Sequence, residues 1–117
     1  MIVRRLAKRG MPLLMRGRCG PGSWGWVERA YASVRRLEEA GVVEKVQVPV
    51  LVLSTSTDKL VSHPAAVRAA QRLPKGELLA FGKEAHHEIL REVDPVRDRA
   101  MAGIAEFLDR VAPPEAA

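Results

Sequence analysis

The stretch that most constrains this chain is Pro49-Val50-Leu51-Val52-Leu53, in which four consecutive residues are β-branched or leucine with no polar alternation. A strand with one wet face alternates apolar and polar residues. A continuous apolar run of this length fits a strand covered on both faces, as in the middle of a parallel sheet. Pro49 has no N–H to give to a ladder and fits only at the strand's start. Small polar residues, Ser54-Thr55-Ser56-Thr57, then lead into Asp58. His63-Pro64 opens a helix running to about Leu73, with Ser62 or His63 as its cap and Pro64 in its first turn. Pro74-Lys75-Gly76 closes that helix, and Glu77-Leu78-Leu79-Ala80-Phe81 is a short second strand. Pro49 to Phe81 is thus about the ~30 residues of one βαβ unit, whose parallel strands require a crossover helix.

Two further helices flank this unit. Trp26, Val27, Ala30, Tyr31, Val34 and Leu37 recur at spacings of three and four, one face of an amphipathic helix. Gly20-Pro21-Gly22 breaks the chain before it. Ser23 is a suitable N-cap, and Gly41 lies past its end, where a left-handed residue is wanted. The last helix is expected from Asp94-Pro95, with Asp94 as N-cap, and carries Val96, Ala100, Met101, Ile104, Phe107, Leu108 and Val111 on one face. Pro113-Pro114 stops it, and residues 113–117 should fray. The order is helix, strand, helix, strand, loop, helix, an α/β arrangement. Two parallel strands alone do not cover a run as apolar as Val50–Leu53, so the pattern predicts an incomplete domain, part of a larger sheet. It also predicts self-association through unpaired strands.

Charge divides the 117 residues unevenly. The formal +5 comes from 19 Lys+Arg and 14 Asp+Glu, with a pI near 10.0, and taken whole it points to polyanions. Six of the basic residues (Arg4, Arg5, Lys8, Arg9, Arg16 and Arg18) lie in residues 1–22, which hold no acid, leaving a body at −1. The leader is therefore the seat of one functional alternative, a small basic protein that binds nucleic acid or an anionic surface through phosphate contacts. No aromatic residue is interleaved with those charges, and the leader carries no known binding motif, so nucleic acid is not the expected partner. Residues 1–22 are expected to be poorly ordered, and residues 23–112 to form the folded body. Met11-Pro12-Leu13-Leu14-Met15 is too short for the roughly 7–15-residue apolar core of a secretory signal. The single cysteine, Cys19, excludes an internal disulfide framework. No run approaches the roughly 18–20 apolar residues of a membrane span, and the cytoplasm is the expected location.

Chemistry in open α/β sheets gathers outside the carboxyl ends of the strands. Asp58 follows the first strand and His87 the second, and adjacent parallel strands would bring both loops to one edge. An Asp beside the Nδ1–H of a His orients the ring and stabilises the imidazolium formed when it takes a proton. On position alone, an Asp there also serves as a turn or cap residue. Because His86 and His87 are consecutive, at most one can point into a given site from a regular loop. Glu84, Glu88 and Glu92 lie near them, but the histidines lack the i, i+4 spacing of a helical zinc pair, and no metal or cofactor is expected.

The wording around these residues carries a resemblance. Val48-Pro49-Val50-Leu51-Val52-Leu53-Ser54-Thr55-Ser56-Thr57-Asp58-Lys59-Leu60-Val61 resembles the acid-bearing strand and loop of α/β-hydrolases. Phe81-Gly82-Lys83-Glu84-Ala85-His86-His87-Glu88-Ile89-Leu90-Arg91-Glu92 resembles the histidine loop of the lysophospholipase and monoacylglycerol-lipase-like branch, where Glu and an apolar pair follow the catalytic His. That register selects His87. Asp94, Arg97, the closing Ile104-Ala105-Glu106-Phe107-Leu108 and Gly22-Ser23-Trp24-Gly25-Trp26 are also similar to that branch, so the resemblance covers about residues 20–110. It implies the C-terminal βαβα portion of an α/β-hydrolase sheet, with Asp58 and His87 as the acid and base of a serine hydrolase. The implied substrate is a small-molecule ester or lysolipid. Trp24, Trp26 and Tyr31 would then border an acyl pocket, or else simply pack one helix face. Two departures stand out. Thr55 and Ser56 replace the glycine often found before the Asp. The nucleophile motif Gly-x-Ser-x-Gly is absent: Ser23 follows no strand, and Ser54, Ser56 and Ser62 have no flanking glycines. The chain alone is therefore expected to be inactive.

Overall fold

A computed structural model describes residues 24–114; the basic leader, Ser23 and residues 115–117 lie outside the described residues. Two compact units divide the chain between Glu38 and Glu39. The first contributes helix α1 (Trp24–Glu38). Arg35 and Arg36 occupy its last turn, where positive charge complements the helix dipole.

The second unit begins with a turn that requires glycine, since Gly41 has φ +81°, a backbone conformation that costs L side chains energy. Its N–H donates to the Glu44 carboxylate at 2.8 Å. Glu44 sits in a single 3-10 turn, Val43–Lys45, and also accepts from Arg72 Nε at 2.7 Å and Nη2 at 3.0 Å. The two-pronged guanidinium contact matches the fork geometry of carboxylate recognition. It holds the Glu44 carboxyl at a pKa of about 2, chiefly through the Arg72 hydrogen bond.

Strand β1 (Val50–Thr55) pairs in parallel with β2 (Gly76–Phe81), from Val50 opposite Gly76 to Thr55 opposite Phe81. The connecting helix α2 (His63–Arg72) starts as the sequence predicts: the Ser62 side chain accepts from the Ala65 N–H, and Pro64 lies in the first turn. At the tight return into β2, a Cβ on Gly76 would sit 2.3 Å from the Ala70 carbonyl oxygen, so no larger residue fits the observed backbone. Helix α3 (Asp94–Val111) buries Val96, Ala100 and Phe107. Val96 and Ala100 join Phe81, Ala85 and Ile89 in one core cluster, with Leu53 and Leu79 packed against it. Leu53 and Leu79 are register partners and share the α3 face of the sheet. Ser54, one residue on and therefore on the opposite face, reaches His63 at the start of α2.

The α/β pattern thus appears as a small two-stranded parallel sheet with helices packed on it. Three details differ from the sequence reading. Val50 to Leu53 are only half-buried, whereas Ser54 and Thr55 are 4% and 0% exposed. With one neighbouring strand among the described residues, the apolar run has too little cover, and packing concentrates at the carboxyl end of the sheet. Single 3-10 turns, Val43–Lys45 and Ile89–Arg91, occupy the stretches before β1 and before α3. Finally, Val93 is the residue that caps α3, and Asp94 is its first helical residue, paired with Arg97 at 3.0 Å. An acid at that position still complements the positive end of the helix.

Candidate active site

The loops after β1 and β2 meet at the carboxyl edge of the sheet. The β1 loop folds back at once: Ser56 N–H donates to the Phe81 carbonyl and Asp58 N–H to the Thr55 carbonyl. This places the Asp58 side chain under its own backbone, where one oxygen accepts from the Leu60 N–H at 2.8 Å and the Val61 N–H at 3.0 Å. The other oxygen lies 2.8 Å from His87 Nδ1. Asp58 is therefore both the turn residue its position suggests and the partner of a histidine 29 residues along.

The carboxylate is 5% exposed and the His87 ring 43% exposed. Burial works against the charge on Asp58, but the Val61 N–H, the His87 ring and the Leu60 N–H together outweigh it and hold the carboxyl below its ordinary range. An ionised carboxylate only accepts hydrogen bonds, so Nδ1 of His87 must carry the proton. In the neutral ring this leaves Nε2 with a lone pair, the arrangement of a general base. Beside the ring runs a shallow, open groove of about 500 Å³, walled by Leu53, Ile89, Leu90 and Ile104, with the charged Glu88 and Arg91 also lining it.

His86 goes elsewhere. Its backbone N–H and its Nδ1 both engage Glu92 Oε1, at 2.7 and 2.9 Å. These two contacts, the backbone one first, hold the Glu92 carboxyl below its ordinary range. The His86 ring is 71% exposed.

Of the described serines, Ser54 Oγ is 2.9 Å from His63 Nδ1, Ser62 caps α2, and Ser33 and Ser56 are exposed. None of the described serines is hydrogen-bonded to His87. Among the described residues there is also no cluster of three or more metal-ligating side chains, and no helix is long and apolar enough to cross a membrane. Cys19, Ser23 and the six basic residues of the leader lie outside the described residues.

Two residues that sequence reasoning passed over bind the loops together. Thr55, fully buried, directs its hydroxyl to the Gly82 and Ala85 carbonyls at 2.9 and 2.8 Å. Thr57 donates its hydroxyl to the same Ala85 carbonyl. The signal was the run of hydroxyl residues where the resemblance expects glycine. What those hydroxyls bond lies 27–30 residues away, beyond any local pattern.

No family model, curated protein or solved structure matches the chain.

Proposed function

We propose that this chain carries the acid–base half of a serine hydrolase of the α/β-hydrolase type, acting on an ester or lysolipid, with the nucleophile supplied by protein outside residues 24–114. The observation that carries this reading is the 2.8 Å contact between Asp58 and His87 Nδ1 at the carboxyl ends of two adjacent parallel strands. Asp58 fixes the ring and balances the charge of the imidazolium. His87 Nε2 takes the proton of an attacking serine and returns it to the leaving alkoxide. The apolar groove beside the ring suits the hydrocarbon part of such a substrate. By itself an Asp–His pair has nothing to activate, because acyl transfer also needs a nucleophile and oxyanion donors.

The test is hydrolysis of a short-chain activated ester by the 117-residue chain, with and without H87A. No turnover above the imidazole background is expected from either. Enzymatic turnover that H87A abolishes would show that the chain holds its own nucleophile and would overturn the half-site reading. The reading frame upstream of Met1 gives a second check: an in-frame strand, Gly-x-Ser-x-Gly and helix support the proposal, and an in-frame stop codon directly upstream counts against a single-chain hydrolase.

A further inference from the structure

The peptide group joining Ala85 to His86 is held at both ends. Its carbonyl accepts the Thr57 hydroxyl and shares the Thr55 hydroxyl with Gly82. Its N–H donates to Glu92 Oε1 at 2.7 Å. A peptide group is planar, so fixing both its C=O and its N–H fixes the orientation of the whole plane. The His86 ring is tied to the same Glu92 oxygen at 2.9 Å, so the chain is held on both sides of His86 Cα as it enters His87. Ala85 is fully buried, so its carbonyl has no water to fall back on if the hydroxyls are lost. The three anchors come from separate places: Thr55 from the last position of β1, Thr57 from the loop after it and Glu92 from the residue following the 3-10 turn.

We propose that Thr55, Thr57 and Glu92 are positioning residues which, by pinning the Ala85–His86 peptide, decide which of the two consecutive histidines meets Asp58. The inference rests on His87 being the base of the site. With the plane held as observed, His86 turns to Glu92 and His87 to Asp58. A peptide free to rotate would let the His87 ring swing off the carboxylate, and the fixed Nδ1–H form would give way to a mixture of ring tautomers. The clamp also accounts for the hydroxyl residues at the end of β1 and in the loop after it, since a glycine at position 55 would offer the Ala85 carbonyl nothing.

Nitrogen NMR of the histidine rings in the full chain, at about pH 8 where imidazoles are mostly neutral, reads this directly. The wild-type chain should show His87 as a single Nδ1–H tautomer. D58N, which removes the charged acceptor, should abolish that signature. T57V and E92A should each lose at least half of it, while T57S, which keeps the hydroxyl, should retain it. Thr57 and Glu92 are less buried than Thr55, and unchanged amide signals from Phe81 and Ala100 would establish that these variants are folded. Full retention of the tautomer in folded T57V and E92A, with D58N still abolishing it, would overturn the clamp. So would a lowered melting temperature with no change in tautomer, the mark of a purely structural role. Should D58N itself leave the signature intact, the Asp58–His87 pair fails, and the proposed function fails with it.

Discussion

The two ends of β1 invert the usual relation between chemistry and burial. Its apolar half, Val50 to Leu53, is only partly covered, while Ser54 and Thr55 at its carboxyl end are among the most buried residues described. At the first end, burial depends on neighbours, and the described sheet supplies one strand. At the second, Phe81, Ala85, Ile89, Val96 and Ala100 form one core cluster, and no buried side-chain polar atom among the described residues lacks a partner. The difference teaches where this fold is over-determined: packing and hydrogen bonding converge on the edge that carries Asp58 and His87.

Large-to-small substitutions at the carboxyl edge of the sheet and on the half-covered run should therefore differ sharply. F81A removes a ring that is 2% exposed and should cost about 3–5 kcal/mol, whereas V52A on the half-covered run should cost about 1 kcal/mol or less. Urea unfolding monitored by circular dichroism compares the two, and equal costs would erase the contrast. G76A should fall between them, at about 1–3 kcal/mol, because its methyl would meet the Ala70 carbonyl backbone rather than a side chain that can turn aside. A melting temperature for G76A equal to that of the wild type would mean the return into β2 is looser than observed.

The smallest effect is electrostatic. Asp58 and Glu44 are both held below the ordinary carboxylate range when folded. The stability they add is therefore complete above the unfolded-state value of about 4 and is lost as pH falls through the folded one, about 2 for Glu44. The urea midpoint should be flat above about pH 5 and decline toward pH 2, and E44Q should flatten part of that decline. A midpoint that rises on acidification would contradict the sign.

Much of this architecture is legible in the residues. The βαβ unit, the Ser62 cap, the left-handed Gly41 and the meeting of the Asp58 and His87 loops at one edge all follow from local chemistry or wording. The Val93 cap and the two 3-10 turns escape because they are decided by one or two backbone hydrogen bonds that several residue types make equally well. Half-burial of Val50–Leu53 escapes for another reason: a sequence states what a strand needs, not what stands beside it. The threonine clamp is the hardest to see, since an isolated hydroxyl has no pattern until its acceptor 30 residues away is known.

That separation has a kinetic consequence. Paired residues of β1 and β2 lie a constant 26 positions apart, and the ties between Thr55, Thr57 or Asp58 and the second loop span 27–30. Closing such loops must be paid in chain entropy before any of these contacts returns energy. Helix α2, the Ile89–Arg91 turn and the Asp58 turn form from neighbours, but the Asp58–His87 contact does not. It needs the same long loop closed as the strand pairing does, so a histidine docked on Asp58 is itself a signal that the βαβ unit has closed.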